Sequence, residues 1–267
     1  MINKFRDWLK KQNLSANTID SYICSVNRFF SFSKKITKDK LSTYKLFLVE
    51  NYKAKTVNLR IQGINKYLDF IGKSTFKINL IKIQQKSLLE NVISNADYYF
   101  LCNQLKKDKN IEWYFVVRFL GATGCRVSEL VEIKAEHIKL GHIDIYSKGG
   151  KMRRLYIPKI LQLEAIEWLQ AKAKFTGYVF CNRRGTKLTT RGISHQLKKL
   201  AKDYKMNADV VYPHSFRHRF AKNFIEKCND IALLADLMGH DSIETTRIYL
   251  RRTSEEQREI VDKIVTW

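Results

Sequence analysis

The 267-residue sequence predicts a mostly helical α+β fold with one small β-hairpin, divided into two domains. Three observations lead to this prediction. Apolar residues recur at helical spacing through most of the chain. Two short segments that alternate apolar and polar residues flank Gly149 and Gly150, as in a β-hairpin. Only two prolines occur, Pro158 and Pro213, so long helices meet few breaks.

Residues 1–75 are predicted to form a basic, all-helical domain. Ser15 lies where an N-cap is expected before the second helix, and Gly72 is suited to end the fourth. Residues 76–92 show no helical stripe and are predicted to be a linker. The four predicted helices cover residues 2–12, 16–32, 40–50 and 55–71.

Residues 93–267 are predicted to form a second, mixed domain. Its hairpin strands are expected at 142–146 and 153–157, with a short third strand at Tyr178–Cys181. The predicted helices cover residues 94–107, 111–121, 126–134, 160–174, 191–204, 215–228, 231–238 and 254–265.

The chain carries a formal charge of +23, and its first third holds about half of this excess. Like charges destabilise a compact protein, so such an excess favours a polyanionic partner, and nucleic acid above all. No apolar run reaches the length of a membrane span, and the N-terminus lacks the apolar core of a signal peptide. We therefore expect a cytoplasmic, nucleoid-associated protein. The five cysteines are scattered and odd in number, which predicts reduced thiols without a disulfide framework or a zinc site.

Three clusters of reactive side chains stand out. The first is TGCRVSEL (123–130), where glycine ends an apolar helix and Arg126 heads the next, a favourable place for a phosphate. The second is HSFRH (214–218), where His214 and Arg217 share one helical face. LMGH (237–240) presents another histidine. The third is Tyr249, which taken alone is a core tyrosine by default.

The order arginine, lysine, His-x-x-Arg, Gly-His, tyrosine resembles that of the tyrosine recombinase (integrase) family, which includes the Xer recombinases and the phage integrases. The match covers almost the whole chain, and five short motifs in the right order are highly specific. The stretches LSANTIDSY (14–22) and KTVNLRIQGI (55–64) are similar to the family's helical core-binding domain. The motifs that carry the resemblance are TGCRVSEL (123–130), SKGGKMRRLYIP (147–158), HSFRH (214–218), LMGH (237–240) and TTRIYL (245–250).

The resemblance implies a catalytic role for six residues by position. Arg126 and Arg217 would clamp the phosphate, and Tyr249 would be the nucleophile. His214 and His240 would form the histidine pair. Lys148 would be the hairpin lysine, with Lys151 as the competing candidate. Glu129 would support Arg126 without itself being catalytic.

The implied reaction cleaves and rejoins DNA through a covalent 3′-phosphotyrosine and a Holliday junction, with two domains clamped around the duplex. The link conserves the energy of the phosphodiester, so neither ATP nor any other cofactor is expected. A base such as His214 would accept the tyrosine proton, and a lysine would protonate the departing 5′-oxygen. The sequence shows no metal-ligand spacing, so no metal is expected.

DNA contacts are predicted on two helices. The candidates are Lys55, Asn58, Arg60 and Lys66 on the helix over 55–71, and Arg191, Lys198 and Lys199 on the helix over 191–204. The segment 254–265 is locally acidic with an apolar side, and we expect it to dock into a neighbouring protomer. The alternative is packing on its own domain.

The resulting interpretation is a site-specific recombinase, an integrase of a mobile element or a related enzyme, that acts as a tetramer on two inverted-repeat core sites. A helper protein that bends DNA or sets direction is a further expected partner. Two alternatives stay open: a type IB topoisomerase, and a DNA-binding regulator on a decayed scaffold. The sequence does not distinguish integration, excision, inversion and dimer resolution, because all four use one chemistry.

Overall fold

The computed structural model describes residues 1–83, 91–146, 152–240 and 242–250, together with residues 258, 261–263 and 265. The chain divides into two compact units, Met1–Gln85 and Lys86–Trp267. Each unit has an apolar core of its own. Of the helices in the described ranges, none combines the length and the apolar surface that a bilayer span requires.

The first unit is built from four helices, as the apolar periodicity predicts. Ser15 caps the second helix, because its Oγ accepts a hydrogen bond from the backbone N–H of Thr18 at 3.1 Å. Aromatic rings fill the core, and Phe5 meets Tyr67 edge to face with ring centroids 5.1 Å apart. The elements are α1 (Ile2–Lys11), α2 (Ala16–Phe32), α3 (Lys38–Asn51), α4 (Ala54–Phe70) and a 3₁₀ turn (Ser74–Phe76).

The stretch after the 3₁₀ turn, predicted to be linker from residue 76, lies along α4 as far as residue 81. Asn58 and Asn65 stand seven positions apart on one face of α4. The amide of Asn58 exchanges two hydrogen bonds of 2.9 Å with the backbone of Ile81. Asn65 does the same with Ile78, at 2.8 and 2.9 Å. Side-chain amides thus stand in for the backbone partners that an extended segment needs. Residues 77–83 form no helix or strand, and the predicted linker over 76–92 stays a prediction.

The second unit is mostly helical with a two-stranded antiparallel sheet, which confirms the predicted fold class. Strands β1 (His142–Tyr146) and β2 (Met152–Tyr156) pair with Ile145 opposite Arg153. The helices are α5 (Asn95–Lys107), α6 (Ile111–Thr123), α7 (Val127–Leu130), α8 (Ala135–Leu140), α9 (Lys159–Ala171), α10 (Thr190–Asp203), α11 (Pro213–Cys228), α12 (Ile231–Met238) and α13 (Ile243–Thr246), followed by a 3₁₀ turn (Arg247–Tyr249).

Helix α6 forms the centre of this unit. Six of its apolar side chains are buried, together with Gly121 and Thr123, which explains why its sequence is apolar over most of its surface. Phe115 of α6 stacks on Trp168 of α9 with ring centroids 4.3 Å apart. Helices α5 and α11 pack against α6 as well. The end of α6 is therefore fixed in the core, and the first arginine motif begins directly after it.

Two predicted elements differ from the structure for one reason. The helix expected over 126–134 stops at Leu130, and the strand expected at Tyr178–Cys181 forms only isolated bridges, Lys134 with Tyr178 and Cys181 with Lys187. The N–H of Val179 donates to the carbonyl of Ile133 at 2.9 Å. This pairing between distant segments takes residues 133 and 134 out of the helix, so tertiary contact overrides the local helical pattern.

Candidate active site

Arg126 stands at the junction between α6 and α7. Helix α6 ends at Gly124 in the left-handed conformation (φ 62°), and a Cβ there would lie 2.4 Å from the ring of Phe220. The chain then extends, and the backbone N–H of Arg126 donates to Oε2 of Glu129 at 2.7 Å. Its Nη1 donates to Oε1 of the same carboxylate at 2.9 Å. Glu129 thus contacts Arg126 as its predicted supporting role requires.

Three arginines from three different elements meet at the C-terminus of α12. Arg153 of β2 donates to the carbonyl of Leu237, and Arg217 of α11 donates to that of Met238. Arg126 donates to the carbonyl of Gly239 at 2.8 Å. The carbonyls of Asp236 and Ala235 accept the backbone N–H groups of Gly239 and His240. The three carbonyls that follow them in the chain accept from the arginines instead. The negative end of the helix dipole favours these cations.

Arg217 is the most deeply buried of the three, with 4% of its surface exposed. Its second Nη donates to the carbonyl of Gly124 at 2.7 Å, which ties it to the end of α6. Burial and the nearby charge of Arg126 lower its pKa to about 10, so it stays charged at neutral pH. Arg126 keeps 37% of its side chain exposed and is therefore the more accessible guanidinium.

His240 follows Gly239 and lies against Arg217. Its Nε2 is 3.3 Å from Nη2 of Arg217, and its Nδ1 is 2.8 Å from Oγ1 of Thr246. A guanidinium only donates, so Nε2 accepts and Nδ1 carries the proton that it donates to Thr246. Burial, followed by the charges of Arg217 and Arg126, lowers the pKa of His240 to about 4. The imidazole is therefore neutral at neutral pH.

Tyr249 is buried, with 8% of its surface exposed, in the 3₁₀ turn after α13. It packs in a small apolar cluster whose other buried members are Ala221, Ile225, Leu234 and Met238. Burial raises the pKa of its hydroxyl to about 12, with the charge of Arg217 acting in the opposite direction. The hydroxyl therefore carries its proton at neutral pH.

The hydrogen-bond partner of Tyr249 is His218, which the sequence did not single out. Nδ1 of His218 lies 2.8 Å from Oη of Tyr249. Burial, followed by His214 and Arg217, lowers the pKa of His218 to about 4. A neutral Nδ1 accepts the phenolic proton. The sequence feature that could have indicated His218 is its spacing, because it follows His214 by four residues and so lies on the same helix face.

His214, the predicted base, lies one turn before His218, with ring centroids 6.4 Å apart. It stands at the exposed rim of α11. Desolvation of its covered side, then Arg217 and Arg126, lowers its pKa. Lys148 and the competing Lys151 lie outside the described residues, so their predicted role stays a prediction. The two residues that flank this segment in the hairpin, Tyr146 and Met152, pair with each other.

Arg153 is a second site residue that sequence reasoning missed. Besides Leu237 it contacts Oε2 of Glu129 through Nη2. Arg153 and the buried Leu155 share one face of β2, because successive side chains of a strand point to opposite faces. The sequence feature that could have indicated Arg153 is therefore an arginine at an inward-facing strand position. Burial would raise the pKa of Glu129, but the charge of Arg153 and the bonds from both arginines lower it overall, so Glu129 is ionised.

An open cleft of about 550 Å³ lies beside these residues, with Arg126, Arg153, Gly239 and His240 among its walls. It contains more positive than negative side-chain charge, because Glu129 is shared by two arginines. A guanidinium has five N–H donors, and Arg126 uses two of its side-chain nitrogens on the protein. Donors remain for an anion with several oxygens, which suits a phosphodiester.

The predicted DNA-contacting residues separate into two groups. On α10, Arg191, Lys198 and Lys199 are exposed along one face, and the opposite face is buried. On α4, Lys55 is exposed, and the amide of Asn58 is hydrogen-bonded to the backbone of Ile81. The predicted DNA contacts of these residues stay predictions. The guanidinium of Arg60 stacks on the ring of Tyr52 at 3.7 Å. Lys66 donates to Gln12 at 3.3 Å.

The family model described as "Phage integrase family" matches residues 89–256, which is more than half of the chain. The chain belongs to this family. As a tyrosine recombinase it is an enzyme that cleaves and rejoins DNA strands at specific sites, which confirms the resemblance stated from the motifs.

Similar proteins span the full length of this tyrosine recombinase. The tyrosine recombinase XerA of Pyrococcus furiosus is 29% identical, over 98% of this chain and 93% of the relative. Two solved structures share the fold at lower identity. The Tn1549 transposon integrase in complex with transposon right end DNA has a TM-score of 0.76 at 14% identity, covering 99% of both chains. The XerH recombinase bound to difH substrate has a TM-score of 0.73 at 21% identity, covering 100% and 85%.

The depressed histidine pKa values predict that this recombinase loses stability in mild acid. His218 and His240 titrate near 6.5 in the unfolded chain and near 4 in the folded state. Their stabilising contribution is fully present above about pH 6.5 and is lost as the pH falls towards 4. We expect the Tm to fall between pH 7 and pH 4.5, and to fall less in the double variant His218→Gln/His240→Gln.

Thermal unfolding followed by circular dichroism checks this expectation. The matched control is His195→Gln, an exposed position on α10, which should keep the wild-type slope. A double variant whose Tm follows pH as steeply as that of the wild type would contradict the assignment.

Proposed function

We propose that Tyr249 is the nucleophile of this recombinase and that it attacks a phosphodiester held by Arg126 and Arg217. The observation that carries the proposal is the contact of its hydroxyl with a neutral histidine in a helix that also bears Arg217. A buried tyrosine without a proton acceptor would be a core residue. A buried tyrosine bonded to a neutral imidazole beside guanidiniums has what an attacking oxygen needs.

The proposed cleavage balances as follows. A bond forms between Oη of Tyr249 and the phosphorus, and the bond from phosphorus to the 5′-oxygen breaks. The phenolic proton passes to a histidine, and Lys148 is proposed to protonate the departing 5′-oxygen. The product is a 3′-phosphotyrosine and a free 5′-OH. Rejoining reverses the steps with a 5′-OH from another strand, which passes through a Holliday junction.

The arginines supply the electrostatic part of the reaction. Negative charge builds on the non-bridging oxygens in the transition state, and donors that are already in place stabilise it without reorganisation. Arg217 cannot reorient freely, because two carbonyls hold its Nη atoms. Arg126 is held by one carboxylate and one carbonyl, with its outer edge exposed. We propose that both contact the scissile phosphate from these fixed positions.

We propose His218 as the first acceptor of the Tyr249 proton, in place of the predicted His214. The low pKa of His218 is caused by burial and positive neighbours. A bound phosphate brings negative charge next to these neighbours, which raises the basicity of the imidazole when the substrate is present. His214, at the exposed rim, is then available to donate a hydrogen bond to a phosphate oxygen.

The duplex is proposed to lie against the exposed basic face of α10 and the basic first unit. Most of these cations contact phosphate, which gives affinity without sequence information. The finer picture is a tetramer on two inverted-repeat core sites, with a helper protein that bends DNA or sets direction. The relatives named tyrosine recombinase XerA and TnP I resolvase support recombination at specific sites.

Covalent capture of DNA is the direct test of the nucleophile. Purified protein is incubated, without metal or ATP, with nicked suicide substrates that carry candidate sites, and a denaturing gel reveals any protein–DNA adduct. We expect an adduct with the wild type and none with Tyr249→Phe, because phenylalanine lacks the attacking oxygen. Tyr99→Phe, an exposed tyrosine on α5, is the matched control and should form adduct like the wild type. An adduct that persists in Tyr249→Phe would show that another residue attacks.

The base assignment is tested by comparing two histidines on one helix. We expect His218→Gln to slow single-turnover cleavage by about a hundredfold, since glutamine keeps a hydrogen bond but accepts no proton. His214→Gln should slow it by about tenfold or less, because the remaining arginine donors still hold the phosphate. Rates are measured at saturating suicide substrate. The larger loss in His214→Gln would return the base to His214.

The C-terminal segment is proposed to dock into a neighbouring protomer. Residues 261–263 are helical, and the side chains of Val261 and Val265 are 54% and 45% exposed. Apolar side chains on an acidic segment are poor partners for DNA and good partners for an apolar surface. Deleting residues 254–267 should leave the affinity of one protomer for a half-site within about twofold, and should abolish cooperative filling of two half-sites in a gel-shift assay. Unchanged cooperativity would exclude docking in trans.

A further inference from the structure

Arg153 occupies a position that none of the proposed catalytic steps uses. Its side chain is 10% exposed, although it is a cation on a two-stranded hairpin. One Nη donates to Oε2 of Glu129, and the other donates to the carbonyl of Leu237. A single guanidinium therefore joins strand β2 to the carboxylate that holds Arg126 and to the end of the helix that holds Arg217.

The glycine of the LMGH motif makes room for this arginine. Gly239 has a φ of +60°, and a Cβ at this position would lie 2.2 Å from Cδ of Arg153 and 2.5 Å from its Nε. Neither distance is tolerated between non-bonded atoms, so a side chain at 239 would displace Arg153. The position before His240 thus serves two purposes: it ends α12 in the left-handed conformation, and it lets the Arg153 side chain pass.

We propose that Arg153 is a positioning residue for the phosphate clamp, which holds Glu129 and the end of α12 so that Arg126 and Arg217 face the scissile phosphate together. This inference rests on the proposed function of those two arginines. Glu129 is the shared element: its Oε2 accepts from Arg153 and from the backbone of Arg126, and its Oε1 accepts from Nη1 of Arg126.

The consequence of removing Arg153 follows from this geometry. The buried Glu129 carboxylate loses the neighbour whose charge favours its ionised form most. The carbonyl of Leu237 loses its donor at the same time. Glu129 keeps its two hydrogen bonds with Arg126, but neither this carboxylate nor the end of α12 is tied to β2 through Arg153 any longer, so the Arg126 guanidinium is less firmly oriented. A displacement of about 1 Å in a catalytic group is enough to slow a reaction about a hundredfold.

The neighbouring residue is a matched control. Arg154 has the same side chain, stands next in sequence on β2 and faces outward, where it pairs with Asp144 across the hairpin at 2.7 Å. Its side chain is 42% exposed. Arg153→Met and Arg154→Met remove the same formal charge from the same strand, so the loss of long-range attraction to DNA is of similar size in the two variants.

The experiment compares single-turnover cleavage by both variants on two suicide substrates at saturating concentration. One substrate has an ordinary scissile phosphodiester, and the other has a methylphosphonate there, which lacks the negative charge that the clamp must neutralise. We expect Arg153→Met to be about a hundredfold slower than Arg154→Met on the phosphodiester. On the methylphosphonate the two variants should differ by about threefold or less. Arg153→Lys should show the same pattern with a smaller loss, and it serves if the methionine variant does not fold.

Equal rates for Arg153→Met and Arg154→Met on the phosphodiester would overturn the proposal. A hundredfold deficit that persists on the methylphosphonate would also overturn the proposal. Such a deficit would indicate a general defect in folding, because that kind of defect does not depend on the charge of the phosphate.

A second measurement separates this inference from the proposed function. The Tm losses of Arg153→Met, Glu129→Gln and the double variant are compared without DNA. We expect the double variant to lose less than the sum of the single losses, as for two residues in contact. Additive losses would overturn the linkage whatever the enzyme does. If the wild type forms no adduct, the proposed function fails, and the thermal comparison still decides whether Arg153 and Glu129 act as a unit.

Discussion

Three guanidiniums on the last carbonyls of α12 are the interaction on which the site depends. Arg153 comes from β2, Arg217 from α11, and Arg126 from the junction of α6 and α7, and each takes one of three successive carbonyls. Three cations side by side repel one another, so their positive charge has to be compensated. The helix end compensates it through its dipole and its free oxygens, with the help of one shared carboxylate. Placing the arginines therefore also fixes the relative positions of three elements.

The same cations set the protonation state of everything near them. Burial lowers the pKa values of His218 and His240 most, and the neighbouring guanidiniums lower them further. Both rings are therefore neutral and able to accept a proton. Tyr249 is buried in an apolar cluster and keeps its proton. The site in the free protein is thus positively charged, with an uncharged tyrosine and histidine pair beside it. A phosphodiester supplies the missing negative charge, so the charge balance is reached only with DNA bound.

In the first unit, side-chain amides hold an extended segment against a helix. Asn58 and Asn65 act as backbone substitutes that hold residues 78–81 against α4. A side chain that completes two backbone hydrogen bonds has fewer donors and acceptors left for a base edge. Residue type and helix face thus leave the role of an asparagine undecided until its partners are known.

The sequence by itself determined most of the helices, the hairpin and several of the candidate site residues. Periodicity reports which positions of one segment are buried, so α2, α4 and α10 follow from it within a residue or two. The order of five short motifs indicated Arg126, Arg217, His240 and Tyr249, because each motif has its own local pattern. Prediction from the sequence fails where a distant partner competes with a local pattern. Residues 133 and 134 lie outside the predicted helix because they pair near residue 178. A short window of the sequence does not contain both segments.

Only the tertiary structure decided which side chains touch. The contact of Arg126 with Gly239 joins residues 113 positions apart, and that of Arg153 with Leu237 joins residues 84 positions apart. His218 was present in a recognised motif, but its hydrogen bond to Tyr249 depends on how the turn after α13 folds back onto α11. Spacing along the chain encodes which face a residue occupies. It does not encode the partner that this face meets, because that partner is chosen by the packing of all the elements at once.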